Sequence, residues 1–196
     1  MAADNKNILS GIVRVFFGNP GNGVSPDALP ANTVAFGAAW TGAWREVGFT
    51  TDEGVHLILE QTFSEVAVAQ QRSPALLLPT AANDRVTFTM LESTLENLRD
   101  ALGRGAITTI AAASGTPGQK ELTISEATTV QYVAVGFEGV APPNTDGMPR
   151  RVLIPTAMAV AAVDLQFTHT VQQGIPVELR SLVGDIVIRD VLQALP

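Results

Sequence analysis

Apolar residues recur at every second position over much of this chain. Elsewhere they fall in short runs rich in Val, Ile, Thr and Phe, separated by Gly, Pro and Asn clusters. Period-two alternation marks strands with one face buried, so the pattern predicts a mainly β fold. Its clearest stretch lies within 85–92, where Val86, Phe88 and Met90 share one face and Thr87 and Thr89 the other. Further strands are expected at 8–17, 107–112, 121–125, 130–138, 151–155, 160–170 and 176–182. In 55–70 the apolar phase is interrupted. Val55, Leu57 and Leu59 alternate with His56, Ile58 and Glu60, and Val66 and Val68 resume an apolar face after a polar stretch. Two strands, or one long bent strand, fit equally well. In an extended backbone Glu60, Thr62 and Ser64 point to one side, and Leu59, Gln61, Phe63 and Glu65 to the other.

One helix interrupts this pattern, over 94–102. Ser93 and Glu96 have the S-x-x-E spacing of a capping box, in which each side chain satisfies the other's free backbone amide. Leu95, Leu98 and Leu102 follow at helical spacing, a stripe expected to lie on a sheet, and Gly103 supplies a left-handed stop. The turn-rich stretches are 18–32, with three prolines, 116–118 and 141–149. No repeat, low-complexity tract or charged linker divides the 196 residues, so 1–196 reads as one domain.

Composition narrows the function. Hydrophobic residues make up 46% and charged residues 16%, whereas roughly a quarter of a typical domain is charged, so part of the surface is expected to be buried against other subunits. The net charge is −7, and Lys and Arg are scattered singly except for Arg150 and Arg151, which makes no phosphate-binding stripe. There is no cysteine, hence no disulfide or thiolate metal site. The segment MAADNKNILSG lacks the apolar run of a signal peptide, and 157–163 falls short of the roughly 20 residues of a membrane helix. The sequence therefore reads as a protein made without an export signal and with no membrane partner.

Candidate chemistry is sparse. The glycine-rich 18–23 lacks the spacing and the Lys-Ser/Thr pair of a phosphate loop. His56 and His169 have no second ligand at metal spacing, no G-x-S-x-G elbow is present, and the carboxylates pair only as turn or edge neighbours. No catalytic residue, metal or cofactor is expected. Trp40 and Trp44 flank TGA, where they could stack on a sugar or anchor a core or interface.

An ordered series of segments carries a resemblance. A first strand ending near Phe17 leads through a loop to WREVGFTTDEGVHLIL (44–59). EQTFSEVAVAQQ (60–71), a PALLLPT connection (74–80) and DRVTFTMLESTLENLRDALG (84–103) follow. The order, and the T-x-E-N-L-x-x-A-L-G run at 94–103, resemble the tail tube proteins of long-tailed, siphovirus-type bacteriophages. PRRVLIPTAMAVAAV (149–163) and IPVELRSL (175–182) are similar to the closing strands of tube proteins from actinobacterial phages.

The resemblance implies a β-sandwich or barrel-like fold with one short flanking helix. It further implies homohexameric rings stacked into a hollow tube in the virion tail, assembled in the host cytoplasm, through which DNA passes without specific binding. Tape measure, tail terminator and baseplate or tail-tip proteins are the partners it implies. Some relatives carry a further immunoglobulin-like domain at the carboxyl terminus, which the chain length is not expected to accommodate. Within that frame Glu60, Thr62 and Ser64 are the candidates to line the lumen, with Phe63 turned into the subunit. The alternative is that 60–65 is a hairpin turn on the outer surface. Competing functions are another ring protein of an injection machine, such as a tail terminator or contractile-system inner tube, and a carbohydrate-binding β-sandwich.

Overall fold

The computed structural model describes residues 13–18, 29–40, 42, 44–70, 72–124, 126, 131–139, 149–165, 173–182 and 185–190. Within them the chain runs β1 (Val13–Phe17), β2 (Arg45–Glu46), β3 (His56–Ile58), β4 (Gln61–Val66), β5 (Leu76–Ala82) and β6 (Arg85–Met90). It continues through α1 (Leu95–Leu102), β7 (Ala106–Ile110), β8 (Gln119–Thr123), β9 (Tyr132–Gly139), β10 (Arg150–Ala159), β11 (Ile175–Ser181) and β12 (Val187–Asp190). Every strand pairing is antiparallel.

β10 organises the main sheet, whose order is β2-β1-β9-β10-β11-β6-β3. Its first half, from Arg150 to Leu153, lies between β9 and β12. The β9–β10 register shifts between Ile154 and Ala157, and beyond that point β10 exchanges β12 for β11. A bulge of this kind bends a strand and raises its twist. The sheet therefore folds over at Pro155 and Thr156 into two leaves, which is the β-sandwich or barrel-like form expected from the alternation. Between the leaves lies the core of Val15, Phe17, Val86, Phe88, Met90, Val135, Ile154, Ile175, Val177 and Leu179, all buried. Truncating one of the larger of these to Ala costs about 2–5 kcal/mol.

The opposite face of the β1–β9–β10 leaf is also covered. Phe16, Ala134 and Leu153 point to it and meet Leu29, Trp40 and Trp44 in a second core. Phe16 stacks on Trp40 with ring centroids 4.1 Å apart, and Trp40 meets Trp44 edge-on at 5.1 Å. The indoles reach the sheet because Gly136 has no side chain; a Cβ there would lie 2.4 Å from the Trp40 ring. Both tryptophans are buried, so neither offers a platform for a sugar.

The structure moves several sequence boundaries. β10 carries the strand expected at 151–155 on to Ala159, 160–165 is not strand, and the rest of the strand expected at 160–170 lies outside the described residues. PALLLPT is mostly strand β5 rather than a connection. The 55–70 segment resolves into two strands, β3 and β4. The expected extension of β1 back to position 8 lies outside the described residues, as does most of the 18–32 loop.

Candidate assembly surface

A row of charged residues crosses the Trp-covered face. Arg14 on β1, Glu138 on β9, Arg151 on β10 and Arg189 on β12 are successive direct partners, and directly opposed residues share a face. Glu138 and Arg151 are fully buried. Arg151 Nε donates to Glu138 Oε2 at 3.1 Å, while Arg14 donates to Glu138 Oε1 at 3.2 Å and forks onto Glu46 at 2.7 and 2.5 Å. The remaining donors reach upward. Arg151 donates to the carbonyls of Ala31 and Val34 at 3.2 and 2.5 Å, Arg14 to that of Ala38 at 3.0 Å, and Arg189 to that of Pro30 at 3.1 Å. The stretch from 29 to 40 has no ladder to satisfy its carbonyls, and the guanidinium forks do so instead. Glu46 raises the pKa of Arg14 above its ordinary value, chiefly through their hydrogen bond.

A second polar cluster fixes α1. Arg45 on β2 donates to Asn97 Oδ1 at 2.5 Å and Asp100 Oδ2 at 2.6 Å, and Arg99 also bonds Asp100. Asn97 Nδ2 donates to the carbonyls of Val47 and Glu92 at 2.9 and 2.8 Å. The helix accordingly buries Asn97, Asp100 and Ala101, not the leucine stripe. Leu98 is half-buried against the main core, and Leu95 and Leu102 are also half-buried. Polar groups won this face because each finds a partner there.

The cap is also shifted by one residue. Thr94, extended at φ −83 and ψ 154, is the N-cap, and its hydroxyl accepts from Asn97 N at 3.2 Å. Ser93 stands outside the helix and is exposed. Glu96 is thereby one place too early to close a capping box. Its carboxylate instead pairs with Lys120 on β8, which holds its pKa below the ordinary 4.5. Gly103 ends the helix at φ 61.

Two hairpins leave the main sheet, β4–β5 and β7–β8. The β4–β5 arm is exposed along its whole length on both faces. Phe63 is 51% exposed, so it does not turn into its own subunit, and Leu76, Leu77 and Leu78 are 54%, 55% and 45% exposed. Opposed pairs place Ser64 beside Leu78 and Val66 beside Leu76 on one face, and Phe63 beside Pro79 and Glu65 beside Leu77 on the other. Thr80 is an extra residue between these registers, and its hydroxyl donates to Thr62 O at 3.2 Å. Glu60, Thr62 and Ser64 all lie on this arm or at its root, exposed. A two-stranded hairpin is marginal alone in water, and one with apolar side chains on both faces is an unfinished surface.

The sequence matches the phage tail tube protein family over residues 1–185. The chain belongs to that family. It is a structural protein of the phage tail, a component of the tube. No curated relative matches the sequence.

Membership gives the geometry above a purpose within a tail tube protein. Each residue of Trp-Arg-Glu-Val-Gly at 44–48 has a separate duty: Trp44 roofs the sheet, Arg45 holds the helix, Glu46 holds Arg14 and Val47 enters the core. Gly48 adopts φ +89, and a Cβ there would lie 2.1 Å from the Glu92 carboxyl group, which accepts from Phe49 N. Sequence reading missed the Arg14–Glu138–Arg151 row, whose members are far apart in the chain. The one available signal was charge at interior strand positions, Glu138 and Arg151, among apolar neighbours. Among the described residues no three His, Asp or Glu are placed to hold a metal ion.

Proposed function

We propose that this tail tube protein is the repeating subunit of a siphovirus-type tail of an actinobacterial phage. Copies associate into hexameric rings, and the rings stack into a hollow conduit for phage DNA. The observation that carries this reading is the β4–β5 arm, whose large apolar side chains are exposed on both faces and need the cover that another copy supplies. The net charge of −7 supports the conduit role, because an acidic wall repels a polyanion and lets it slide. Tape measure, terminator and tail-tip proteins are the further partners implied by the family resemblance. Glu60, Thr62 and Ser64 are proposed to face the lumen, since they are exposed polar side chains on one side of the extended 60–66 segment.

Negative-stain microscopy of the concentrated protein tests the assembly. Rings or tubes with a central channel are expected, and a protein that stays monomeric at every concentration refutes it. Glu60→Lys tests the lumen assignment: tubes should form normally while DNA delivery and infectivity fall. Unchanged infectivity from assembled Glu60→Lys tails removes Glu60 from the lumen.

A further inference from the structure

Most arginines of the chain are held by carboxylates or carbonyls, but the side chains of Arg72, Arg85, Arg104 and Arg180 make no hydrogen bond or ion pair among the described residues. Two of these four stand side by side. Arg85 on β6 is directly opposite Arg180 on β11, and the row extends to Ile58 on β3 and Met158 on β10. Directly opposed residues share a face, and like charges so placed destabilise a sheet. The contrast with the row on the other leaf is sharp. There Arg151 and Arg189 also stand opposed, but Glu138 and the carbonyls of the 29–40 segment hold the guanidiniums; here Arg85 is half-buried and Arg180 exposed, and neither guanidinium is bonded to a carboxylate or carbonyl, Glu178 lying two residues away on the same face.

We propose that Arg85 and Arg180 receive Glu65 from the β4–β5 arm of a second copy of this chain. The proposal rests on the self-assembly reading above. Three observations select the occupant. The chain is acidic overall, at −7, so carboxylates are in surplus. Glu65 is exposed and has no partner among the described residues, and its face of the arm also carries Phe63, Leu77 and Pro79. An acid set among apolar groups complements two arginines flanked by Ile58 and Met158. Finally, the arm cannot serve its own chain. It is rooted beside Arg85, where Asn83 N donates to Glu60 O at 2.8 Å and Glu60 N to Asp84 Oδ1 at 3.2 Å. Glu65 lies five residues along a strand from that root, about 17 Å at the rise of an extended chain, which is beyond an arginine's reach. The contact joins two different patches, arm to row, and such head-to-tail contacts propagate around a ring.

Charge reversal tests it. Arg180→Glu should raise the concentration needed for ring or tube formation by about tenfold or more, the scale of a lost interfacial charge pair. Glu65→Arg alone should do the same, and Glu65→Arg with Arg180→Glu together should recover assembly. The folding control is the monomer's denaturation midpoint, which in Arg180→Glu should be unchanged or raised because a repulsion is removed. If Arg180→Glu assembles like wild type, the proposal is overturned. A double variant no better than the singles also overturns it. So does an Arg180→Glu protein that assembles normally but loses affinity for DNA, since the pair then serves nucleic acid. Wild type that forms neither rings nor tubes overturns the assembly reading and this contact with it. Wild type that assembles beside an equally competent Arg180→Glu overturns this contact alone.

Discussion

Replacing Arg151 with Met should be among the most damaging single changes available in this protein. Arg151 and Glu138 are both fully buried, and the substitution leaves Glu138 facing only Arg14 at 3.2 Å and the Gly37 amide at 3.4 Å. Breaking one side of a buried pair costs about 3–5 kcal/mol, because the surviving charge loses its buried partner on Oε2 in a place water does not reach. The carbonyls of Ala31 and Val34 also lose the guanidinium, but Ala31 O still accepts from Val34 N at 3.0 Å and Val34 is only half-buried, so water can replace the guanidinium there and the loss adds little. Against a total stability of about 5–15 kcal/mol this is a large fraction. It corresponds to a fall in melting temperature of roughly 6–20 °C for a chain of this size. Denaturant titration of the monomer, followed by tryptophan fluorescence, reads the effect where it arises, since Trp40 and Trp44 belong to the same roof. Replacing both residues with Met should cost less than the two single changes summed, because no charge is stranded between them. A single substitution costing under about 1 kcal/mol, or a double variant as costly as the sum, would refute the clamp.

Other outcomes follow from the same geometry. Thr94→Ala should cost about 1 kcal/mol while Ser93→Ala costs little, measured by denaturation midpoint, because only Thr94 accepts from the helix. Gly136→Ala should displace Trp40 and change its emission, since the added Cβ would lie 2.4 Å from the ring. Glu96 and Asp190 are held below their ordinary 4.5 and 3.8, principally by hydrogen bonds from Lys120 and Arg150. A depressed carboxylate binds fewer protons folded than unfolded. The stability these pairs contribute is therefore present above pH 4.5 and lost as the pH falls through the lowered values, and Lys120→Met with Arg150→Met should flatten that acid limb.

The sequence carried the β class because alternation is local: Val86, Phe88 and Met90 are buried and their threonine neighbours are not. It carried Gly103 for the same reason, since a left-handed stop depends on its own residue. What it could not carry was whatever a distant partner decides. The leucine stripe looked like the buried face of α1, but Arg45 and the carbonyls of Val47 and Glu92 reward Asn97 and Asp100 instead. Ser93 and Thr94 are both good caps by type, and one residue of helix phase separated them. β5 read as a connection because Pro79 and the short run of leucines disguised an arm strand. The arm is exposed, so its leucines show none of the alternation that a half-buried strand must show.

The two charged rows also bear on why copies of this chain would join in a ring rather than in a closed pair. The β6–β11 face is a partly apolar sheet surface, and without charge it could stack on the same face of another copy. Two such rows brought together would bring four arginines close with only Glu178 of each copy to offset them, a repulsion that grows as water is excluded. The arm, by contrast, brings Glu65 and an apolar flank. The arginine pair thus discriminates between partners that are chemically the same molecule: it penalises row against row and favours arm against row. A like-charged pair that weakens the isolated sheet slightly is the means by which a self-complementary dimer is disfavoured. The contact left open joins unlike patches, and repeated by a rotation that closes it would generate a ring.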